Sequence, residues 1–264
     1  MSRWLPLTYL GFVAAAFAVL IVVSLSLQRS DELPPPSSAS RAPPVSEAEP
    51  TASVRRPRLK AGPELPASAE SDPVLNVRGD GVCPGACTGT AFAIDDAGHW
   101  LTARHVVGSC SQVGLLKGSR QAIPVHRVFS HPNADVSLIA TRLQAPALAL
   151  SPESLLQYQD GFHHGYPGGK PGDVHARLLG RVWVRSSRTV EPGVVWAEVS
   201  RHASTAASLG GLSGGPVLTP AGTVAGVTIA ASPRRGRVIT AAPRSLTHVI
   251  ELAGLEIPTQ PKQD

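Results

Sequence analysis

The chain has 264 residues, a net charge of +5 and an isoelectric point near 9.5. A basic surface that reads nucleic acid interleaves its charges with aromatics, and only 5% of these residues are aromatic, so nucleic acid is excluded as an expected partner. The length admits one large or two small domains, but the composition divides the chain into unequal parts.

Residues 4–28 carry no charged side chain, and 7–27 is an almost continuous apolar run. As a helix this run reaches about 30 Å, the thickness of bilayer hydrocarbon. A cleaved signal peptide has a shorter apolar core followed by a small-x-small site, and Ser24-Leu25-Ser26 is a poor version of one. Residues 1–28 are therefore expected to be a retained transmembrane anchor that meets the membrane through 7–27. Arg3 and the α-amino group face Arg29 across the run, which gives a small charge bias. The expected topology is a single pass through the inner (cytoplasmic) membrane, with the remaining chain on the periplasmic or extracellular side.

Residues 29–75 are rich in Pro, Ser, Ala, Glu and Arg and hold no periodic apolar face. Such a segment cannot bury enough surface to fold alone and is expected to be a disordered linker, with ends about 40 Å apart as a coil. From residue 76 the pattern changes to short apolar runs: 90–94, 100–102, 136–140, 182–184, 194–199, 217–218, 224–229 and 238–240. Turn signals such as Asp96-Ala97-Gly98 and Pro220-Ala221-Gly222 separate them. Helical periodicity appears only over 245–253. The expectation is an all-β domain over 76–257, a sandwich or barrel, with a short tail at 258–264.

The cysteines are Cys83, Cys87 and Cys110, an odd number, so at most one internal bridge forms. Cys83 and Cys87 have no second ligand pair downstream and do not make a zinc ribbon. A bridge from Cys87 or Cys83 to Cys110 is expected, with Cys87 and Cys110 as the candidate pair, which implies an oxidising compartment. His163 and His164 are adjacent, and adjacent strand residues point to opposite faces, so no metal site is expected there. No cofactor is expected.

Three segments carry chemistry in chain order: Leu101-Thr102-Ala103-Arg104-His105, Ala134-Asp135-Val136-Ser137-Leu138-Ile139 and Gly211-Leu212-Ser213-Gly214-Gly215-Pro216. A serine hydroxyl is a poor nucleophile at neutral pH and needs a base within hydrogen-bond reach. Histidine titrates near working pH, and a carboxylate behind it fixes the tautomer and stabilises the imidazolium. The glycines let the N–H groups of Gly211 and Ser213 converge on a developing oxyanion, and each such donor is worth about 3–4 kcal/mol. Any one of the three residues alone reads as a turn or core residue. Together and in order, each beside an apolar strand, they read as an acyl-transfer site.

These segments, with Thr88-Gly89-Thr90, His164-Gly165-Tyr166-Pro167-Gly168 and Ala241-Ala242-Pro243, resemble the trypsin-like serine peptidases over residues 76–256. The resemblance is nearest to the bacterial HtrA (DegP-like) branch. It implies two packed six-stranded antiparallel β-barrels with a C-terminal helix, and a site in the cleft between them. It implies His105 as general base, Asp135 as its orienter, Ser213 as nucleophile, and Gly211 and Ser213 as the oxyanion hole. Leu212 replaces the Asp or Asn that the family carries before the serine, so zymogen activation through a freed N-terminus is not expected. Arg104 replaces the usual alanine before the histidine. No PDZ module is expected after the last helix.

By the same register, Ala207 stands where basic specificity requires a carboxylate. Thr228, Ile229, Ala230 and Ala231 would form the strand that pairs with substrate backbone. The expected reading is a membrane-anchored serine endopeptidase that cleaves peptides or proteins after small or medium apolar residues. The alternatives are a silent trypsin-like fold that binds peptide or protein, and an esterase using the same triad. The sequence does not fix the oligomeric state.

Overall fold

The computed structural model describes residues 19–25, 60–77, 87–117, 121–151, 154–201 and 209–256. In chain order the first elements are β1 (Val19–Leu25), β2 (Val74–Asn76), β3 (Cys87–Ala93), β4 (His99–Thr102), α1 (Arg104–Val107), β5 (Gln112–Lys117), β6 (Gln121–Ser130) and β7 (Ser137–Thr141). The second half adds β8 (Asp160–Gly165), β9 (Gly172–Arg185), β10 (Val190–Arg201), β11 (Pro216–Leu218), β12 (Val224–Ser232), β13 (Arg237–Ala241) and α2 (Pro243–Leu252).

The first barrel closes in the order β1-β3-β4-β7-β6-β5. The second runs β10-β13-β12-β11-β8-β9, and a β9–β10 pairing closes it, while β2 adds to β9 in parallel. The expected pair of antiparallel six-stranded barrels is what the chain forms. Each barrel is centred on a buried tryptophan whose indole N–H is satisfied by a threonine hydroxyl. Trp100 donates to Thr141 at 3.2 Å, and Trp196 donates to Thr240 at 3.0 Å. Closure pairs the strand edges that an open antiparallel sheet would leave bare.

The helix expected near the C-terminus is α2. Pro243 opens it at the position where a missing N–H costs nothing, and Leu246, Val249 and Ile250 recur at helical spacing and are buried. Their shared core includes Leu138 and Ile139 of the first barrel and Ile239 of the second, so α2 packs where the barrels meet.

Two expectations need correction. Val19–Leu25, toward the C-terminal end of the predicted membrane helix, is a strand with partners on both edges: Val19↔Phe92 on β3 and Ile21↔Leu116 on β5. Its β-branched run suits an extended chain, and the gap between β3 and β5 supplies the hydrogen-bond partners a lone strand lacks. Residues 7–18 and 26–27 of the apolar run lie outside the described residues. Among the described residues, no helix is long and apolar enough to cross a membrane.

The second correction concerns the linker, because residues 60–75 run along the second barrel. Leu65 is buried and donates its N–H to the Leu155 carbonyl at 2.7 Å, and the Trp183 indole donates to the Ala69 carbonyl at 2.8 Å. A Pro-rich chain without its own periodicity can still be ordered when a neighbouring sheet supplies its hydrogen bonds.

Candidate active site

His105 sits on the four-residue turn α1, directly after β4, and Asp135 on the turn between β6 and β7. One carboxylate holds the histidine twice. Asp135 Oδ1 accepts the His105 backbone N–H at 2.8 Å, and Oδ2 lies 2.6 Å from the ring Nδ1. Two bonds from one rigid fork fix both the backbone and the plane of the imidazole. The Arg104 that replaces the family's alanine ties the same two loops together. Its guanidinium donates to the carbonyls of His131 at 2.8 Å and Pro132 at 3.0 Å, while its N–H reaches the Asp135 carbonyl at 3.2 Å.

Behind Asp135 stands a residue the motifs did not announce. Glu191, at the start of β10, is fully buried, and its two oxygens accept the Asp135 backbone N–H at 2.9 and 3.0 Å. The second barrel thereby grips the orienting loop of the first. No sequence pattern announces it: alternation would bury Val190, yet Val190 is 51% exposed beside a buried Glu191, so the strand's faces are inverted there. Burial raises the Glu191 pKa to about 7, with the charge of Asp135 acting in the same direction. The Asp135 N–H, Arg104 and Thr189 oppose the rise.

This shift carries a stability prediction. A carboxyl whose folded pKa lies above its ordinary 4.5 stabilises the fold below that value, and the contribution is lost as pH rises through about 7. Thermal stability should therefore decline across that window. Glu191→Gln should flatten the decline, as followed by melting temperature against pH.

Burial alone would lower the His105 pKa, but the hydrogen bond and charge of Asp135 and the charge of Glu191 outweigh it, and the value is raised above 6.5. His99–Asp95 and His175–Asp160 are also paired. Neither belongs to the cleft of about 1250 Å³ that His105 and Ser213 share.

Ser213 is part-exposed on a loop that both barrels hold. From the first barrel, Thr90 N–H donates to the Ser213 carbonyl at 2.8 Å, and the Thr90 hydroxyl donates to the Gly211 carbonyl at 2.7 Å. From the second, Gly214 N–H donates to the Thr228 carbonyl at 2.7 Å and Thr228 N–H to the Gly215 carbonyl at 2.8 Å. Leu212 is 1% exposed in the second barrel's core, beside Leu209, Trp196 and Val217. Burial of this leucine anchors the loop where an ion pair would otherwise do so. Gly211 and Gly214 have φ of +99° and +87°, conformations that favour glycine. Among the described residues, neither the Gly211 nor the Ser213 N–H donates a hydrogen bond.

The predicted substrate strand divides. Thr228 is committed: its backbone pairs with the serine loop, and its buried hydroxyl lies 3.0 Å from His163 Nδ1. Ile229, Ala230 and Ala231 line the cleft, and among the described residues β12 pairs there on one side only, through Ala230↔Ile239 and Ala231↔Val238. Pro73 and Leu75 of the former linker also line the cleft, together with Asn76 and Val77. Ala207 and Cys83 lie outside the described residues. The candidate bridge is corrected: Cys87 is disulfide-bonded, but Cys110 is a free thiol. Cys110 follows α1, and its thiol turns back to the Val106 carbonyl at 3.7 Å rather than outward to another strand. His163 and His164 diverge as expected. His163 is buried, and its pKa is pushed down to about 3 by burial first and by His164 second, so it is neutral. Among the described residues, no three His, Cys, Asp or Glu side chains cluster as metal ligands.

Residues 89–227 match the family model described as a trypsin-like peptidase domain. Among solved structures, the Rv3671c protease from M. tuberculosis in its active form is 21% identical with a TM-score of 0.56, covering 67% of this chain and 78% of that one. The HtrA-type protease AlgW with a decapeptide is 14% identical with a TM-score of 0.56, covering 91% of this chain and 65% of that one. At such identities these neighbours show the shared fold. No curated protein matches the sequence. The match over residues 89–227, on two closed barrels with a histidine and a serine in one cleft, places the chain in the trypsin-like peptidase family, as a serine endopeptidase.

Proposed function

We propose that His105, Asp135 and Ser213 form the catalytic triad, with the N–H groups of Gly211 and Ser213 as the oxyanion hole. Ser213 Oγ attacks the scissile carbonyl carbon while its proton passes to His105 Nε2. The carbonyl oxygen becomes the oxyanion. Collapse breaks the C–N bond, and Nε2 returns the proton to the leaving amine. Water then repeats the sequence on the acyl-enzyme. The observation that carries this reading is the double grip of Asp135 on His105, in the cleft that Ser213 lines.

The substrate lies as an added strand along Ile229–Ala231, and its primary side chain is small or medium and apolar. The apolar side chains of Ile229 and Ala230 on that wall support this preference. The test is covalent: a fluorophosphonate probe should label the wild type and leave Ser213→Ala unlabelled. Equal labelling of both would remove Ser213 as nucleophile, and labelling of neither would leave the silent binding fold as the reading.

The base works only when neutral. Because the His105 pKa is raised above 6.5, kcat/KM should fall as pH drops through that raised value. Glu191 contributes to the rise, so Glu191→Gln should move the acidic limb to lower pH in a full pH–rate profile. An unmoved limb would show that Glu191 does not act electrostatically on the base.

A further inference from the structure

The wall that would receive substrate backbone ends in a concentration of positive charge. Arg181, Arg234, Arg235 and Arg237 all line the cleft that holds His105 and Ser213, and among the described residues no aspartate or glutamate lines it. Elsewhere on the second barrel arginines are paired, Arg177 with Asp160 and Arg201 with Glu198. The four cleft arginines form no ion pair among the described residues. Backbone carbonyls orient two of them instead. The Arg237 guanidinium donates to the carbonyls of Arg235 at 3.1 Å and Gly236 at 3.0 Å, and Arg181 Nε donates to the Pro66 carbonyl. Burial lowers the Arg181 pKa, Asp72 opposes the fall, and Arg244 adds to it. Arg234 and Arg235 are exposed on the 3₁₀ turn Pro233–Arg235, which follows directly on the end of β12. Guanidinium groups held over a partly enclosed groove favour carboxylates, and such a field both selects and steers a charged partner.

Resting on the catalytic reading above, we propose that this cleft selects peptide substrates carrying aspartate or glutamate several residues from the scissile bond, recognised by Arg234, Arg235, Arg237 and Arg181. The polarity follows from strand geometry. β12 leads away from the serine loop, from Thr228 toward Ser232 and Arg235. A substrate paired antiparallel to it runs toward Ser213, so the residues beside the arginines precede the bond to be cut. At about 3.3 Å per residue, the arginine cluster lies opposite roughly the third to fifth residue before that bond. The apolar primary pocket and the acidic subsites occupy different stretches of one strand, so both preferences hold together.

The test uses peptides of one sequence with an apolar primary residue and with Asp/Glu, Gln or Lys at the third to fifth preceding positions. Binding is read by fluorescence anisotropy on full-length Ser213→Ala and cleavage on the wild type. Affinity and kcat/KM should rank acidic above neutral above basic, with about a tenfold gap between acidic and neutral at low ionic strength. The gap should close toward 1 M salt, where the Debye length is about 3 Å. The charge-reversed variant Arg234→Glu/Arg235→Glu leaves two arginines against two glutamates, so it should cancel the acidic preference while still taking the fluorophosphonate label, which a misfolded variant would not. Equal affinities for the three peptides at low ionic strength, an unchanged ranking in the variant, or acids preferred only on the far side of the bond would each overturn the proposal. Fluorophosphonate labelling of the wild type reports on the triad independently, so a failure there is separable from a failure of the arginine subsites.

Discussion

Asp135→Asn should lower kcat/KM by about 10⁴-fold while leaving the fold intact. The carboxylate accepts two bonds from His105, one from the backbone N–H and one from the ring nitrogen. Asparagine offers one acceptor and one donor in the same fork. If its oxygen keeps the backbone N–H, its amide meets Nδ1, and the ring must present a lone pair there. The ring proton then sits on Nε2, the position that has to receive the serine proton, and the base is blocked. Steady-state kinetics with a peptide substrate, alongside a melting curve to verify folding, gives the measurement. An unaltered rate would remove Asp135 from the triad.

Gly214→Ala should disable the serine loop. Gly214 has φ of +87°, and an added Cβ would run into the Thr90 carbonyl oxygen and the Thr102 hydroxyl. Those two atoms are themselves bonded at 2.7 Å, which fixes β3 to β4 behind the loop. Left-handed strain plus this collision should cost about 2–4 kcal/mol, a drop in melting temperature on the order of 10 °C. Displacement of Ser213 and of its proposed oxyanion donor should cost at least about 10²-fold in turnover. Gly222→Ala is the control. It has φ of +82°, and nothing lies within 4 Å of its added Cβ, so it carries the conformational strain without the collision. Equal losses in the two variants would mean that the loop is not held against β3 in the way described.

The residues proposed for acyl transfer were legible along the polymer because each sits where local chemistry repeats. His105 and Asp135 lie at strand ends, and Ser213 lies among glycines whose positive φ only that residue type tolerates cheaply. The strand runs, the turns and α2 were legible for the same reason: alternation, turn chemistry and helical spacing are short-range properties. Long-range partners decided the rest. An apolar run of β-branched residues is compatible with helix or strand, and Val19–Leu25 became β1 because β3 and β5 offer it hydrogen bonds on both edges. Residues 60–75 have no pattern of their own, yet they are ordered by β9 and line one wall of the cleft with the residues that follow.

The cysteine count alone left open which thiol stays free, and the placement of Cys110 after α1 settled it. Glu191 reaches Asp135 from the other barrel, across a separation in sequence that no spacing rule encodes. The sequence by itself determined which groups could do the chemistry. Only the tertiary structure decided which of them meet, because burial, charge pairing and the sharing of hydrogen bonds depend on neighbours that the linear order does not bring together.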